Sequence, residues 1–393
     1  MKPLAGVKVL DLSRYLPGPL GAQMLADFGA QVIKIEPPSG ERGRIIPGVP
    51  LYQGSRANFF NVNRNKKSLT LDLKAPEGKE ILKKLAAGVD VVMEQFRPGA
   101  MDKLGLGYES LRRENKGLVY CAITGYGGTG PLKMAAGHDN NYLSVSGVYS
   151  ISGNHDGPSL MGTQIADIAG GTLHAVIAIL MALRAREITG EGQYCDVSMV
   201  DAMVSTMLAY AWSDYWGQER PLERMNETLN GGRAYYYIYE TADQKFMSLG
   251  AIEPKFWAVF CERVGHLEWI SRQNDVKAQN KLIEEVEQLF RTRTQAEWVE
   301  TAADLDICLT PIVSLDEVAQ NPHIRERKSV LRVENIAGSG KTALLPGLPF
   351  QLSETPGEAV LRFSRLGEDN HEILRGIGLS DAEIEELATK EVI

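Results

Sequence analysis

A histidine and several carboxylates occupy the places in this sequence where acid–base chemistry is most plausible. They lie in Gly137-His138-Asp139, at Asp167, and in Gly250-Ala251-Ile252-Glu253-Pro254. A histidine and a carboxylate on opposite sides of one carbon atom can remove a proton from one face and return it to the other. Such a base works best when its pKa lies near the working pH, as that of histidine does natively and that of a carboxylate does after desolvation. Spacing alone does not show that these groups meet.

Each of these residues also has an ordinary structural explanation. Carboxylates close to a helix start, as Asp139 and Asp167 are, often cap the helix by accepting backbone N–H groups. A single histidine such as His138 is more often a hydrogen-bonded structural residue than a catalytic one. Taken one at a time, the residues therefore leave both a structural and a catalytic role open.

The composition limits the class of protein. The chain has 393 residues, 44% of them hydrophobic and 23% charged, which is typical of a folded protein with one large domain or two smaller ones. The formal net charge of −8 argues against a general nucleic-acid-binding role. Four cysteines without C-x-x-C spacing predict neither a disulfide framework nor a zinc site, and they favour a reducing compartment.

Against this acidic background, one stretch of the chain carries a cluster of cations. Its members are Arg42, Arg44, Arg56, Arg64, Lys66 and Lys67. Arginine and lysine side chains at this density suit the phosphate groups of a ligand. A merely solvated charged surface is the alternative for each of them.

The order of strands and helices predicts an α/β fold. The predicted strands are 7–12, 31–35, 68–73, 89–94 and 118–123. Helical spacing of apolar residues indicates helices at 20–28 and 76–87. This β-α-β order implies a mostly parallel, open sheet, whose ligands bind beyond the carboxyl ends of the strands.

The second half of the chain predicts a change of architecture. Helices are expected at 168–186 and 198–212, and paired strands at 234–239 and 245–249. The apolar stretch 168–183 contains His174 and is short for a membrane span, which predicts a buried helix. We predict a large domain at 1–224, a small α+β domain at 225–315, and a return to the large domain at 316–393.

Two glycine-rich segments imitate nucleotide-binding motifs. Residues 125–130 match G-x-G-x-x-G, but Pro131 follows and no long helix begins there, so a glycine-rich turn is favoured. Residues 338–342 resemble the end of a P-loop, but Asn335 stands where the first glycine is required. We predict no nucleotide site at either segment.

Several stretches together resemble the type III CoA-transferase (CaiB/BaiF) superfamily, and within it the α-methylacyl-CoA racemases most. They keep the family order and run through much of the chain. The stretches are 17–19, 26–30, 63–68, 96–99, 137–139, Asp167 and 250–254. The resemblance implies an interlocked homodimer, in which each subunit has a large Rossmann-like domain and a smaller one. The active sites would lie between the large domain of one chain and the small domain of the other.

The resemblance also implies roles for single residues. His138 and Asp167 would be the two acid/base groups on opposite faces of the substrate α-carbon, supported and oriented by Asp139 and Glu253. The coenzyme A part of the substrate would be bound by Arg42, Arg64, Lys66, Lys67 and Arg97. Coenzyme A enters as part of the acyl-CoA substrate, so no separate cofactor, metal or nicotinamide is expected. Backbone N–H groups at the start of the helix that follows Asp167 would stabilise the enolate.

The same scaffold supports two reactions. In a transferase, the aspartate matching Asp167 attacks an acyl-CoA and becomes a mixed anhydride, guarded by a glycine-rich loop that corresponds to residues 230–233. His138 favours a racemase, because acyl transfer needs no second base there. A non-catalytic CoA-binding protein is a third hypothesis. An N-terminus without an apolar signal core and a C-terminal Glu391-Val392-Ile393 predict a cytoplasmic location, with no membrane and no nucleic acid as partner.

Overall fold

The computed structural model describes residues 1–46, 51–52 and 55–393, apart from the side chains of 51, 52 and 337. These residues form two compact units. The first comprises Met1–Ser146, Thr163–Met207 and Pro322–Ile393, and the second comprises Gly147–Gly162 and Leu208–Asn321.

The division differs from the boundaries expected from the sequence. The second unit includes 147–162 and 208–224, which the boundary at 224 assigns to the large domain. Compactness alone does not show that a unit folds independently, so the predicted domains stay predictions.

The strands lie mainly in two sheets, one in each unit. In chain order they are β1 (Lys8–Asp11), β2 (Gln31–Glu36), β3 (Leu51–Tyr52), β4 (Ser55–Arg56), β5 (Lys67–Thr70), β6 (Val91–Glu94), β7 (Val119–Thr124), β8 (Gly153–Asn154), β9 (Gly157–Pro158), β10 (Tyr194–Ser198), β11 (Tyr236–Glu240), β12 (Phe246–Gly250), β13 (Leu309–Pro311), β14 (Val330–Val333) and β15 (Ala343–Pro346).

The helices alternate with the strands in the first half of the chain. They are α1 (Pro17–Asp27), α2 (Ala57–Asn63), α3 (Pro76–Ala87), α4 (Ala100–Leu104), α5 (Tyr108–Leu111), α6 (Asp139–Ser146), α7 (His174–Thr189), α8 (Met199–Ala202), α9 (Ala209–Gln218), α10 (Pro254–Val264), α11 (Gln279–Phe290), α12 (Gln295–Ala302), α13 (Leu315–Gln320), α14 (Pro322–Glu326), α15 (Asn370–Gly376) and α16 (Asp381–Thr389). Two π-helical segments, Ala166–Leu173 and Met203–Met207, directly precede α7 and directly follow α8.

A six-stranded sheet organises the first unit. Its strand order is β10-β7-β6-β1-β2-β5, and all its neighbouring strands are parallel. From β1 the chain moves outward to β2 and β5, and then returns to the other side of β1 for β6, β7 and β10. This doubly wound order leaves a crevice between β1 and β6 at the carboxyl edge of the sheet. The predicted α/β fold with a mostly parallel sheet is confirmed.

Apolar side chains cover both faces of this sheet. On one face, Val9, Val91 and Val119 pack with residues of α1 and α7. On the other, Leu10, Val92 and Tyr120 pack with residues of α3, α15 and α16. Strands buried on both faces are apolar throughout, which is why β7 is predicted from its sequence as a continuous apolar run.

The helix predicted at 168–186 is longer in the structure and begins in a different form. It runs from Ala166 to Thr189, and its first eight residues are π-helical. By length and a mean hydropathy of 1.8 it is apolar enough to cross a membrane, as the core helices of many folded units also are. Only 44% of its most apolar 18-residue stretch is buried. The prediction of a buried helix is therefore wrong for one face of the helix. The exposed apolar residues of that face are Leu173, Ile177, Leu180, Met181 and Ile188.

The second unit is built around a three-stranded antiparallel sheet, β11-β12-β13. The hairpin of β11 and β12 is the pair of strands expected from the sequence. Its core is aromatic: Tyr239 stacks on Phe290 with ring centroids 4.7 Å apart, and Phe290 packs against Trp298 at 4.5 Å. Trp257 and Trp298 are fully buried, and their indole N–H groups donate to backbone carbonyls of Trp269 and Phe290.

Candidate active site

A cavity of about 650 Å³ opens in the first unit at the carboxyl edge of the parallel sheet. The end of β7 and the segments that follow β1, β6 and β7 supply most of its walls, and α6, the π-helical segment and the first residue of α8 supply the rest. The residues that line it are Arg14, Tyr15, Pro17, Gln95, Phe96, Arg97, Pro98, Ile123, Thr124, Gly125, Tyr126, Lys133, Ala135, Ala136, Gly137, His138, Asn141, Tyr142, Asp167 and Met199. The cavity thus occupies the crevice that the strand order creates.

Asp167 lies in the first turn of the π-helical segment and faces this cavity. Burial of the carboxyl group, together with the nearby charge of Asp139, raises the pKa of Asp167 to about 6. Burial has the larger effect. A carboxylate with a pKa near 6 is a stronger base than an exposed one and still ionises near neutral pH, which suits proton transfer.

Asp139 and Asp167 are joined by a hydrogen bond. The Asp167 backbone N–H donates to Asp139 Oδ1 at 3.0 Å. Asp139 is the first residue of α6 and directly follows His138 in the chain. The Ile168 N–H donates to the Gln164 carbonyl at 2.9 Å. Both of these N–H groups are used within the protein, and the expectation that backbone N–H groups at this helix start stabilise an enolate oxygen stays a prediction.

His138 precedes α6, and its side chain is exposed in the described chain. Its carbonyl accepts the N–H groups of Asn141 and Tyr142, and its own N–H donates to Asn141 Oδ1 at 3.0 Å. The backbone of His138 is thereby fixed by the first turn of the helix. The structure thus brings His138, Asp139 and Asp167 together at one cavity, with His138 and Asp167 in its wall.

A tyrosine pair supports the same wall. The Tyr142 hydroxyl donates to the Gly137 carbonyl at 2.6 Å, and its ring meets that of Tyr126 edge-on at 5.3 Å. Burial, followed by the charge of Asp167, raises the pKa of Tyr142 to about 12, so the phenol stays a donor. Neither tyrosine is predicted to be catalytic; Tyr142, which lies four residues after His138 on the same face of the helix, is a possible pocket residue from the sequence, whereas Tyr126 is missed.

Glu253 lies in the second unit, where it immediately precedes α10 and is exposed. Its carbonyl accepts the N–H groups of Phe256 and Trp257, which fixes its backbone at the helix start. It is not among the residues that line the cavity in the first unit. Its predicted supporting role in catalysis stays a prediction.

Of the cations predicted to bind the coenzyme, Arg97 lines the cavity and is exposed. Arg14 and Lys133 line it too and are missed by the sequence analysis. The Arg14 guanidinium lies over the Phe96 ring, 4.7 Å from its centroid. The sequence does indicate a ligand-binding position for Arg14, because it lies three residues after β1 and ligands of a doubly wound sheet bind beyond the carboxyl ends of the strands.

The other predicted cations lie elsewhere, and for two of them burial contradicts direct contact with a ligand. Arg64 is 1% exposed, with its guanidinium paired to Asp27 at 2.6 Å and donating to the Pro346 carbonyl. Lys66 is 2% exposed and donates to Asp11, to Asn63 and to the Pro19 carbonyl, each at 2.8 Å. Both side chains have their donors directed into the interior, and neither lines the cavity.

Two further predicted cations are at the surface but away from this cavity. Lys67 forms an ion pair with Glu372 and lines a separate cavity of about 470 Å³, which includes the amino ends of β1 and β2. Arg42 is exposed at the start of a short 3-10 helix, Arg42–Arg44. The structure therefore brings only Arg97 of the predicted coenzyme-binding set to the wall of the site.

Comparison with known proteins places these features in context. A model of CoA-transferase family III matches residues 4–370. Alpha-methylacyl-CoA racemase of Homo sapiens is 36% identical over 399 residues, which covers 99% of this chain and 97% of that protein. The succinyl-CoA–L-malate CoA-transferase beta subunit of Chloroflexus aurantiacus is 32% identical and covers 100% and 98%. A crystal structure of a CaiB/BaiF family protein from Brucella suis superposes with a TM-score of 0.82 at 29% identity, covering 96% and 99%.

Proposed function

The chain belongs to CoA-transferase family III, and we propose that within this family of enzymes it is a racemase of 2-methylacyl-CoA thioesters. It would take the proton from the α-carbon of the thioester and return a proton to the opposite face. The observation that carries the proposal is that a histidine, His138, and a carboxylate, Asp167, line one cavity. The raised pKa of Asp167, about 6, supports it.

The reaction proceeds through an enolate of the thioester. One of the two groups removes the α-proton as a general base, and the other protonates the planar carbon from the opposite face as a general acid. For the other enantiomer the two groups exchange roles. Asp139 holds the backbone N–H of Asp167 and raises the pKa of its carboxyl group, so it acts as a positioning residue.

The coenzyme part of the substrate is bound by exposed cations at the rim of the cavity. We assign this role to Arg14, Arg97 and Lys133, which line the cavity. Within the described part of the chain, none of the three pairs with a carboxylate at 4.0 Å or less, so their charges are available to phosphate groups. Coenzyme A enters as part of the substrate, and the reaction needs no other cofactor.

We also propose that the enzyme acts in the cytoplasm as an interlocked homodimer. The exposed apolar face of the 166–189 helix supports self-association, with Met181 69% and Ile188 72% exposed. A contiguous apolar surface of this kind is typical of an interface. Light scattering after size-exclusion chromatography is expected to give twice the mass of one chain, and a Met181→Glu variant should shift it toward one chain.

Deuterium exchange tests the racemase. A single enantiomer of a 2-methylacyl-CoA is incubated in D₂O without any acceptor acid. We expect α-deuterium incorporation together with loss of optical purity. His138→Gln and Asp167→Asn should each slow the loss of optical purity at least about 100-fold, the usual contribution of a positioned acid or base. His371→Gln, at an exposed histidine of α15 outside the cavity, is the matched control.

A second reaction is supported by the relatives that transfer CoA, such as succinate–glutarate CoA-transferase of Agrobacterium fabrum, which is 35% identical. Asp167 would then attack the thioester carbonyl, release the coenzyme and carry the acyl group as an anhydride. Hydroxylamine would trap that anhydride as a hydroxamate at Asp167, detectable by mass spectrometry. Transfer of CoA to an added acid, abolished by Asp167→Asn but not by His138→Gln, would refute the racemase in favour of this reaction.

A further inference from the structure

The segment 12–19, which joins β1 to the first turn of α1, carries Arg14, Tyr15 and Pro17 into the cavity wall. Its main chain is held by side chains from distant elements. Lys34 Nζ donates to the Ser13 carbonyl at 2.8 Å, and Glu41 Oε2 accepts the Tyr15 N–H at 3.1 Å. The position of this wall is therefore set from outside the segment.

Two further contacts hold the end of the same segment. Lys66 Nζ donates to the Pro19 carbonyl at 2.8 Å, and the Gly18 N–H donates to Gln95 Oε1 at 3.2 Å. Lys34 and Lys66 are both buried, and although burial raises the pKa of Asp11, these two cations lower it to about 2. Asp11 thus stays ionised and anchors both ammonium groups beneath the wall.

Thr172 adds the contact that reaches the acid–base group. It lies five residues after Asp167 in the same π-helical segment, is 0% exposed, and donates its hydroxyl to the Pro17 carbonyl at 2.7 Å. Threonine and serine within helices usually donate back to their own helix. Thr189 does so to Ala185 at 3.1 Å, near the end of the same helix. Thr172 instead links its helix to a different part of the chain.

The residue before Thr172 permits this close approach. A Cβ atom at Gly171 would lie 2.7 Å from the Cβ of Pro17, which is closer than such atoms approach. At Gly170 a Cβ would lie 2.9 Å from the Met199 carbonyl oxygen. The backbone of the π-helical segment therefore lies close to the Pro17 side chain at the start of α1 and to the backbone of Met199 at the start of α8.

We propose that Thr172 is a positioning residue: its hydrogen bond to Pro17 fixes the cavity wall that carries Arg14 relative to the helix that carries Asp167. The proposal rests on the proposed function in one respect, since Asp167 is taken as the group that meets the substrate. In this arrangement the coenzyme is held by one element and the reacting carbon is met by another. The Thr172 bond keeps the two in register, so its loss affects alignment more than affinity.

Three variants test this role. Thr172→Val keeps the shape of the side chain and removes the hydroxyl, Thr172→Ser keeps the hydroxyl, and Thr189→Val is the matched control on the same helix. For Thr172→Val we expect kcat of α-deuterium exchange to fall about tenfold with KM within about twofold, the scale of one buried hydrogen bond. Thr172→Ser should restore most of kcat. A lower Tm with unchanged kcat, or a rise in KM alone, would overturn the proposal.

A second measurement does not depend on the reaction. Backbone amide exchange of a peptide covering residues 12–19, followed by mass spectrometry, should be faster in Thr172→Val than in wild type or Thr172→Ser. Unchanged exchange there would overturn the proposal even if kcat fell. If wild type shows no α-deuterium exchange, the racemase assignment fails, while the amide exchange of the three variants still decides the role of Thr172.

Discussion

Replacing Asp139 with asparagine should lower the pKa of Asp167 while keeping the hydrogen bond between the two residues. The Asp167 N–H donates to Asp139 Oδ1 at 3.0 Å, and an asparagine side-chain oxygen can accept the same bond. What the substitution removes is one negative charge. That charge is the smaller of the two causes that raise the pKa of Asp167, burial being the larger.

The size of the expected pKa change follows from burial being the larger of the two causes. The pKa of Asp167 is raised from 3.8 to about 6, and Asp139 accounts for less than half of the rise. In the direction in which Asp167 takes the proton, it must be ionised, so the rate falls as the pH drops through its pKa. In Asp139→Asn this acid limb of kcat/KM should move to lower pH, by less than about one pH unit.

The assay is α-deuterium exchange of each enantiomer from about pH 4.5 to about pH 8, where the limb of a base of this kind is visible. Asp381→Asn is the control, since it removes the same charge from an exposed residue of α16 that pairs with Arg375. An acid limb that stays in place, or that moves to higher pH, would show that Asp139 does not act on Asp167 through its charge.

Four other substitutions have defined outcomes. Asp167→Asn should raise the free energy of unfolding above pH 6 by at most about 3 kcal/mol, because the folded chain then no longer buries an ionised carboxylate. Urea titration measures this gain, which should vanish below about pH 4, where the carboxyl group of the wild type is protonated in both states. Gly171→Ala should lower Tm and kcat together, since its Cβ meets Pro17, and an unchanged kcat would contradict that contact. Arg97→Gln should raise KM for acyl-CoA about tenfold with Tm unchanged, because Arg97 lines the cavity. Lys66→Met should lower the free energy of unfolding by about 3 kcal/mol, because it leaves Asp11 without its nearest cation. A loss of stability in Arg97→Gln, together with a raised KM alone in Lys66→Met, would reverse the two roles.

Much of the fold follows from local patterns in the sequence. The helix at 76–87 has the predicted bounds, because a proline at its first position and amphipathic spacing mark it clearly. Five of the six strands of the parallel sheet lie within a few residues of their predicted positions, whereas the edge strand β10 is not predicted. The π-helical form of 166–173 is not predicted by such local patterns. Two of its glycines, Gly170 and Gly171, lie close to Met199 and Pro17, and local sequence does not show these contacts.

The residues of the candidate site are predicted less completely than the fold. His138 and Asp167 line one cavity and Asp139 contacts Asp167, because α6 begins at one edge of the cavity and the π-helical segment at another. The burial of Arg64 and Lys66 is missed because their partners lie far away in sequence. Arg64 pairs with Asp27, 37 positions away, and Lys66 with Asp11, 55 positions away. Local sequence cannot show such pairs.

The contrast between these two groups of cations gives a physical criterion for choosing coenzyme ligands on this fold. A buried cation must be paired, since an unpaired charge in the interior costs several kcal/mol, as the pairs of Arg64 and Lys66 illustrate. A cation that binds an incoming phosphate must instead keep its donors free in the unliganded protein. Arg14 and Arg97 meet this condition, because both are exposed and directly follow the strands that border the crevice. One member of the basic stretch that suggests a phosphate site in the sequence, Lys66, thus holds the cavity wall through the Pro19 carbonyl, whereas the cations that follow β1 and β6 are exposed at the cavity, as the proposed coenzyme contact requires.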